Sequence, residues 1–293
     1  KSRLIDIIHH FILFENIGSA PKKLLARNHQ FLGVNNAIEA VRSIEKNKGK
    51  LGVFWHTQGS GKSFSMVFLT RKIMRELRGD WKFLIVTDRR DLDEQIYKNF
   101  AAVGAVTEPE NEVRADSKEE LQQLLKENHR YVFTLIHKFH TRDNEEFPVL
   151  SQDDDIIVIT DEAHRTQYDS LAMNMRKALP NAAFLGFTGT PLIKGEDEKT
   201  REVFGDYVSV YDFKQSIEDG ATVPLYYENR IPELQLTNEN LSEEIKELLD
   251  DAMLNDKQEE KLEREFRQEY HLITRKERLE VIASDLVDHF LNR

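Results

Sequence analysis

Five short apolar runs punctuate the chain: Leu51-Gly52-Val53-Phe54-Trp55, Phe83 to Thr87, Tyr131 to Ile136, Ile156 to Thr160 and Ala183 to Phe187. None alternates strictly between apolar and polar, so each reads as a strand buried on both faces. Helical spacing fills the gaps. A helix beginning at Gln30 carries Phe31, Val34, Ala37, Ile38 and Val41; another runs from Phe64 to Leu77; a third places Leu92, Ile96 and Phe100 on one face. Buried strands alternating with amphipathic helices predict an α/β fold, a parallel sheet with helices on both faces. Each run ends in a polar motif, at the carboxyl end of a strand, where open α/β sheets bind ligands.

The flanks read differently. Leu4 to Phe14 is mostly apolar and predicts a buried helix or strand. After Pro191 the pattern predicts an edge strand at Tyr207 to Tyr211, a helix closed by Asp219-Gly220 and a further pairing segment from Leu225 to Arg230. An amphipathic helix follows on Leu241, Ile245, Leu248, Leu249 and Ala252. The charged stretch Glu259 to Glu269 reads as a solvated helix face. A last helix carries Leu279, Ile282, Ala283, Leu286, Val287 and Phe290. The expected organisation is one domain over residues 1–232, with a lead-in over 1–26, and a helical segment over 233–293.

Composition narrows the classes. At 293 residues and 40% hydrophobic content the chain can bury a large core. It has no cysteine, which excludes disulfides and thiolate metal sites; a cytoplasmic protein with no membrane association is the simple expectation. The formal charge of −11 argues against a surface that grips nucleic acid everywhere, though a local basic groove stays possible. Much of the acid excess lies after Glu233.

The chemistry concentrates in the turn His56-Thr57-Gln58-Gly59-Ser60-Gly61-Lys62-Ser63, between a strand and a helix. Gly59 and Gly61 permit backbone angles that let successive N–H groups converge on one anion, and the following helix adds its positive end. Lys62 would reach the β/γ-phosphates and Ser63 would take a place on Mg²⁺. The general pattern has glycine where this chain has His56, and the loop alone could be an ordinary flexible turn. Asp161-Glu162-Ala163-His164, at the end of another buried strand, supplies the second half of a nucleotide-hydrolysing site: Asp161 for Mg²⁺, Glu162 for the attacking water. Gln30 has a donor and an acceptor that match adenine, or is merely a polar helix start. Two cationic strand ends, Arg89-Arg90 and His137-Lys138, are candidates for phosphate contacts to DNA; Arg89 and Arg90 could instead pair with Asp88 and Asp91.

Taken in order, Arg27-Asn28-His29-Gln30, Gly59-Ser60-Gly61-Lys62-Ser63, Asp161-Glu162-Ala163-His164 and Thr188-Gly189-Thr190-Pro191 resemble the first-half motifs of superfamily 2 helicases and translocases. Longer strings, from Asp161 to Tyr168, from Phe187 to Leu192, Asp219-Gly220 and Tyr227 to Arg230, resemble the motor subunit of type I restriction enzymes. The resemblance implies a RecA-like domain that binds ATP and Mg²⁺ through Arg27, Gln30, Thr57, Gly59, Ser60, Gly61, Lys62 and Ser63. It implies catalysis by Lys62, Asp161 and Glu162, and coupling of nucleotide state to DNA by His164, Thr188 and Thr190. The implied partners are double-stranded DNA and the methyltransferase and specificity subunits. The nuclease domain and the second RecA-like domain of that family have no counterpart here. The expectation is therefore a fragment, a weak ATPase without nuclease activity. Two other readings stay open: a superfamily 2 helicase of repair or RNA remodelling, and a nucleotide-binding regulatory module.

Overall fold

The structure, a computed structural model, describes residues 1–16, 20–141, 147–162, 168–190, 197–224 and 276–292. Helix α1 (Ser2–His10) leads into a two-stranded antiparallel hairpin, β1 (Ile12–Glu15) and β2 (Lys22–Leu25). Then come α2 (Asn28–Arg42), β3 (Lys50–His56), α3 (Lys62–Glu76), β4 (Lys82–Thr87) and α4 (Arg90–Ala102). A short α5 (Glu110–Val113) precedes β5 (Arg114–Ala115), α6 (Lys118–Lys126) and β6 (Tyr131–Leu135), which ends in a 3-10 turn at Ile136–Phe139. The remainder is β7 (Ile156–Thr160), α7 (Tyr168–Ala178), β8 (Ala183–Thr188), α8 (Asp197–Phe204), β9 (Tyr207–Tyr211), α9 (Phe213–Glu218) and α10 (Lys276–Leu291).

All five apolar runs are strands of one seven-stranded sheet in the order β5-β6-β4-β7-β8-β3-β9, and every pairing is parallel. Strands β7 and β8 are buried at every position because helices cover both faces. The period of two still sorts the side chains. Phe83, Ile85, Ile157, Ile159, Leu185 and Phe187 pack towards α2, α3 and α4, while Leu84, Val86, Val158 and Phe184 pack towards α6, α7 and α8. Phe54 and Phe187, on neighbouring strands, stack with centroids 4.5 Å apart. Each such ring contributes about 1.5–3 kcal/mol by leaving water.

The edge strand β5 is too short for a pattern to announce it. The larger departure is at the start. None of α1 is buried, and Leu4, Ile5 and Ile8 are 62, 56 and 56% exposed. The core takes Phe11 and Leu13 instead, from the turn and β1. What fixes α1 is Ile7 against the core together with a set of ionic contacts. Lys72 of α3, 3% exposed, donates to Asp6 and to Asn35 Oδ1 at 2.8 Å and lies 3.4 Å from Glu76, which also meets His10 at 3.2 Å. Asp6, His10 and Glu76 are the one metal-like grouping among the described residues, and the Lys72 ammonium already serves as its cation.

Residues 1–224 form one compact unit and residues 225–293 a second. In the second, α10 bears out the last expected helix. The boundary expected after residue 232, the segment Leu225 to Arg230 and the helices expected over 241–252 and 259–270 lie outside the described residues. No described helix is long and apolar enough to cross a membrane.

Candidate functional site

Register decides where the polar motifs meet. Trp55 pairs with Thr188, His56 with Tyr211, Val86 with Thr160 and Thr87 with Leu135, so the strands end level along one edge of the sheet. The loop after β3, the acidic pair after β7 and the turn after β8 are therefore neighbours.

The loop from Thr57 to Gly61 is built around left-handed backbone. Gly59 and Gly61 have φ of +82° and +86°, and Gly61 hands over directly to α3. A Cβ at Gly61 would also stand 2.9 Å from Gln30 Nε2. The hydroxyls of Thr57 and Ser60 are buried without a hydrogen-bond partner among the described residues. Such donors are costly unless a ligand completes them. Ser63 is half-buried in the first turn of α3. His56, at the position where the general pattern has glycine, is fully buried with Nε2 2.7 Å from Ser209 Oγ on β9. Burial pushes its imidazole down to about 3, so it packs as a neutral ring.

Across from the loop, Lys62 Nζ lies 3.9 Å from Glu162 Oε1, with the lysine side chain 11% exposed. Asp161 is buried beside them; burial pushes its carboxyl up to about 6, and the Lys62 charge works against that rise. A buried carboxylate of this kind favours a cation nearby. Glu162 has φ of +54°, in the left-handed region that non-glycine residues rarely enter. Gly189 closes the group. A Cβ there would sit 3.2 Å from Lys62 Nζ, 3.6 Å from Glu162 Oε1 and 3.7 Å from the Gln58 nitrogen. The missing side chain is what lets the turn after β8 touch loop, lysine and acid at once. Buried Thr188 holds that turn: its Oγ1 accepts from Thr190 N–H at 3.2 Å and donates to the Thr190 carbonyl at 3.0 Å, with Thr190 itself exposed.

The donor set suits a magnesium nucleotide. A loop with two orphaned hydroxyls, a helix N-terminus and a lysine would hold phosphates, while Ser63 and Asp161 offer hard oxygens for Mg²⁺.

Gln30 sits against the loop with both ends of its amide hydrogen-bonded. It is 5% exposed; its Oε1 accepts from Arg27 N–H at 2.8 Å and its Nε2 donates to the Gly61 carbonyl at 3.0 Å. Arg27 presents its own side chain to solvent. His164 lies outside the described residues. The cationic strand ends are adjacent and largely exposed, but not idle. Arg89 Nε is 3.8 Å from Asp88, Arg90 Nε is 3.9 Å from Glu94 rather than Asp91, and Lys138 donates to the Asp116 carbonyl; His137 is exposed. The partner of Arg90 is Glu94 because residues four apart share a helix face.

Sequence reasoning missed Gly189, His29 and Tyr211 as parts of the site. His29 Nε2 donates to the Ser60 carbonyl at 2.9 Å, and its ring stacks on Tyr211, centroids 3.8 Å apart at 13°. Gly189 and His29 both sat inside motifs already singled out; Tyr211 carried no signal beyond ending a strand.

Comparison with known proteins places this geometry. A family model described as SWI2/SNF2 ATPase matches residues 29–260. The type I restriction enzyme HindI endonuclease subunit of Haemophilus influenzae is 40% identical over 99% of this chain, and the putative MjaIXP endonuclease subunit of Methanocaldococcus jannaschii is 36% identical over 100% of it. The chain spans 28% of the length of each of these relatives. Among solved structures, the DNA-bound ATP-dependent Type ISP restriction-modification enzyme LlaBIII shares the fold with a TM-score of 0.50 at 16% identity, over 70% of this chain and 16% of that one.

Proposed function

The chain belongs to the SWI2/SNF2 ATPase family, and on that premise we propose that it is the ATP-driven, DNA-translocating motor of a type I restriction endonuclease subunit. One observation carries the reading: Lys62, Glu162 and Gly189 converge on a loop whose Thr57 and Ser60 hydroxyls lack partners among the described residues. Loop amides and Lys62 bind and orient the β/γ-phosphates of ATP. Mg²⁺, held by Ser63 and Asp161 when bound, would neutralise charge building on those oxygens. Glu162 orients the attacking water and takes its proton, a role its position opposite Lys62 serves. Thr188 fixes the turn that brings Gly189 against both, so a shift at the phosphates reaches Thr190 at the surface.

Residues 1–232 serve as the first RecA-like domain and 233–293 as the start of the connection onward. Double-stranded DNA is the track, and the methyltransferase and specificity subunits are the partners. The homology to restriction subunits favours this over a repair or RNA helicase with the same front-half motifs.

The test is ATP turnover by the full-length protein with and without linear duplex DNA, beside displacement of a third strand placed along the duplex. We expect turnover to rise with DNA and the third strand to leave only with ATP. Glu162→Gln should lower turnover by about 10²–10⁴-fold while nucleotide still binds. Hydrolysis indifferent to DNA would favour the regulatory module.

A further inference from the structure

The two cationic strand ends belong to different elements. Arg89 and Arg90 follow β4, while His137 and Lys138 follow β6. Phosphates recur along a duplex at a fixed spacing, so two cations can meet two of them only if their own separation is fixed. The sheet sets that separation as far as the last ladder pair, Thr87 with Leu135. Beyond it, something else must hold the two ends.

A single buried ion pair lies between them. Arg114 Nε donates to Asp93 Oδ2 at 2.6 Å and Arg114 Nη2 is 2.5 Å from the same oxygen, with the two side chains 10 and 1% exposed. Arg114 Nη1 is 2.5 Å from Glu110 Oε1, so the guanidinium plane is set by partners on two sides. On the β4 side, the Asp93 N–H donates to the Arg89 carbonyl at 3.1 Å and Asp93 Oδ1 accepts from Thr87 Oγ1 at 3.4 Å. These contacts close the first turn of α4 under Arg89 and Arg90. On the β6 side, Arg114 opens β5. The next carbonyl, of Ala115, accepts from Thr134 Oγ1 at 3.2 Å, and the one after it, of Asp116, accepts from Lys138. The path from Arg89 to Lys138 therefore runs through Asp93, Arg114 and Asp116.

We infer that Asp93 and Arg114 are positioning residues for duplex binding, a buried strut that fixes the separation and aim of the two cationic strand ends without touching DNA. The inference rests on the proposed DNA track and names what shapes its surface. Strand β5 has two residues, too few to hold a direction by its own ladder. Two buried charges are also a poor choice for packing alone, since apolar side chains of the same volume stabilise a fold as well or better. What a carboxylate and a guanidinium add is direction, because their bonds form in one geometry.

The experiment is duplex binding by the full-length protein across a salt series, on two unrelated duplexes, beside DNA-free ATP turnover and melting temperature. Asp93→Leu/Arg114→Met replaces the pair with apolar side chains of similar volume. It should melt no lower than the parent and turn over ATP without DNA at the parent rate. It should bind both duplexes about tenfold more weakly at low salt. The gap should narrow as salt rises, because ionic contacts are what is lost. Arg114→Lys keeps the charge without the fork and should show a smaller loss of the same kind; it serves alone if the apolar pair melts too low to assay. Parent-like duplex binding by the apolar pair, or by Arg114→Lys in its place, would overturn the inference. So would a loss equal at every salt concentration or matched by falling DNA-free turnover, the marks of a damaged fold. Arg89→Glu and Lys138→Glu separate the two levels. If they weaken binding and the apolar pair does not, only this inference fails; if neither weakens it, the DNA surface itself is misassigned and the strut falls with it.

Discussion

Helix α3 carries two buried lysines in opposite circumstances. Lys72, near its end, is 3% exposed and surrounded by Asp6, Asn35 and Glu76, with its ammonium over the Phe11 ring at 5.0 Å. Lys62, in the first turn, is nearly as enclosed but has a single described carboxylate within 4 Å, Glu162 at 3.9 Å. A desolvated cation needs compensation. At Lys72 the protein supplies it in full, and the product is a joint between α1, α2 and α3. At Lys62 it supplies less, and a bound anion would supply the rest. Burial of a charge does not by itself mark a site; the proposal for Lys62 rests on the loop it stands in.

Substitution of Lys72 tests the structural side and should have the largest effect on stability. Lys72→Ala leaves Asp6 without its cation, while Glu76 keeps Arg42 at 2.9 Å, and should cost on the order of 3 kcal/mol in urea unfolding. Lys72→Met, which fills the space but also leaves the acids, should recover little unless Asp6→Asn accompanies it. A near-neutral Lys72→Ala would show that the network is ornamental and that the contrast with Lys62 has no basis.

A second contrast concerns two buried acids beside strand ends. Asp161 belongs to the proposed nucleotide site. Asp93, fully buried in the first turn of α4, is bound by Arg114 Nε at 2.6 Å, and burial pushes its carboxyl up to about 6 from 3.8 with Arg114 opposing. Between those values the folded chain retains a proton that the unfolded chain has released, so this group's contribution to stability declines as pH rises from about 4 to about 6 and is level above. Asp93→Asn should remove that slope. The stability gap between parent and variant should change by on the order of 2 kcal/mol between pH 4 and pH 6.5. A gap independent of pH would mean that Arg114 keeps Asp93 ionised throughout.

How much of this was readable beforehand follows from which forces are local. The five strands were legible because both faces of each are buried and the apolar runs are unbroken. Gly59 and Gly61 were legible because the turn they make is local. Gly189 was not recognisable as a contact, since its role is the space left beside Lys62 and Glu162, which only the register of β3 and β8 creates. The His29–Tyr211 stack depends on β9 pairing beside β3, between residues far apart in sequence. Asp93 carried no signal of its own, because its partner, Arg114, arrives from an edge strand of two residues. The segment Leu4 to Phe14 read as buried because eight of its eleven residues are apolar, yet Leu4, Ile5 and Ile8 face solvent, and Ile7 and Asp6 do the docking.

The smallest expected effect separates the nucleotide site from the cationic strand ends nearby. Among the described residues Arg89 pairs with Asp88, at 3.8 Å, whereas Lys138 is already committed to the Asp116 carbonyl. If these ends track DNA, Arg89→Glu should lower the salt slope of duplex binding by about one unit. Lys138→Glu should change it less. Equal binding by both variants and the parent across a salt series, on two unrelated duplexes, would place the tracking surface elsewhere.

The contrast between the two lysines is tested most directly by titrating Mg-ADP into the parent and Lys62→Ala while following melting temperature. Loss of one charge-assisted contact to phosphate predicts about 10- to 100-fold weaker binding. The unliganded variant should melt close to the parent, since the fold does not depend on that charge. Equal affinity in the two proteins, or a Lys62→Ala variant that unfolds as a Lys72 variant should, would contradict the account.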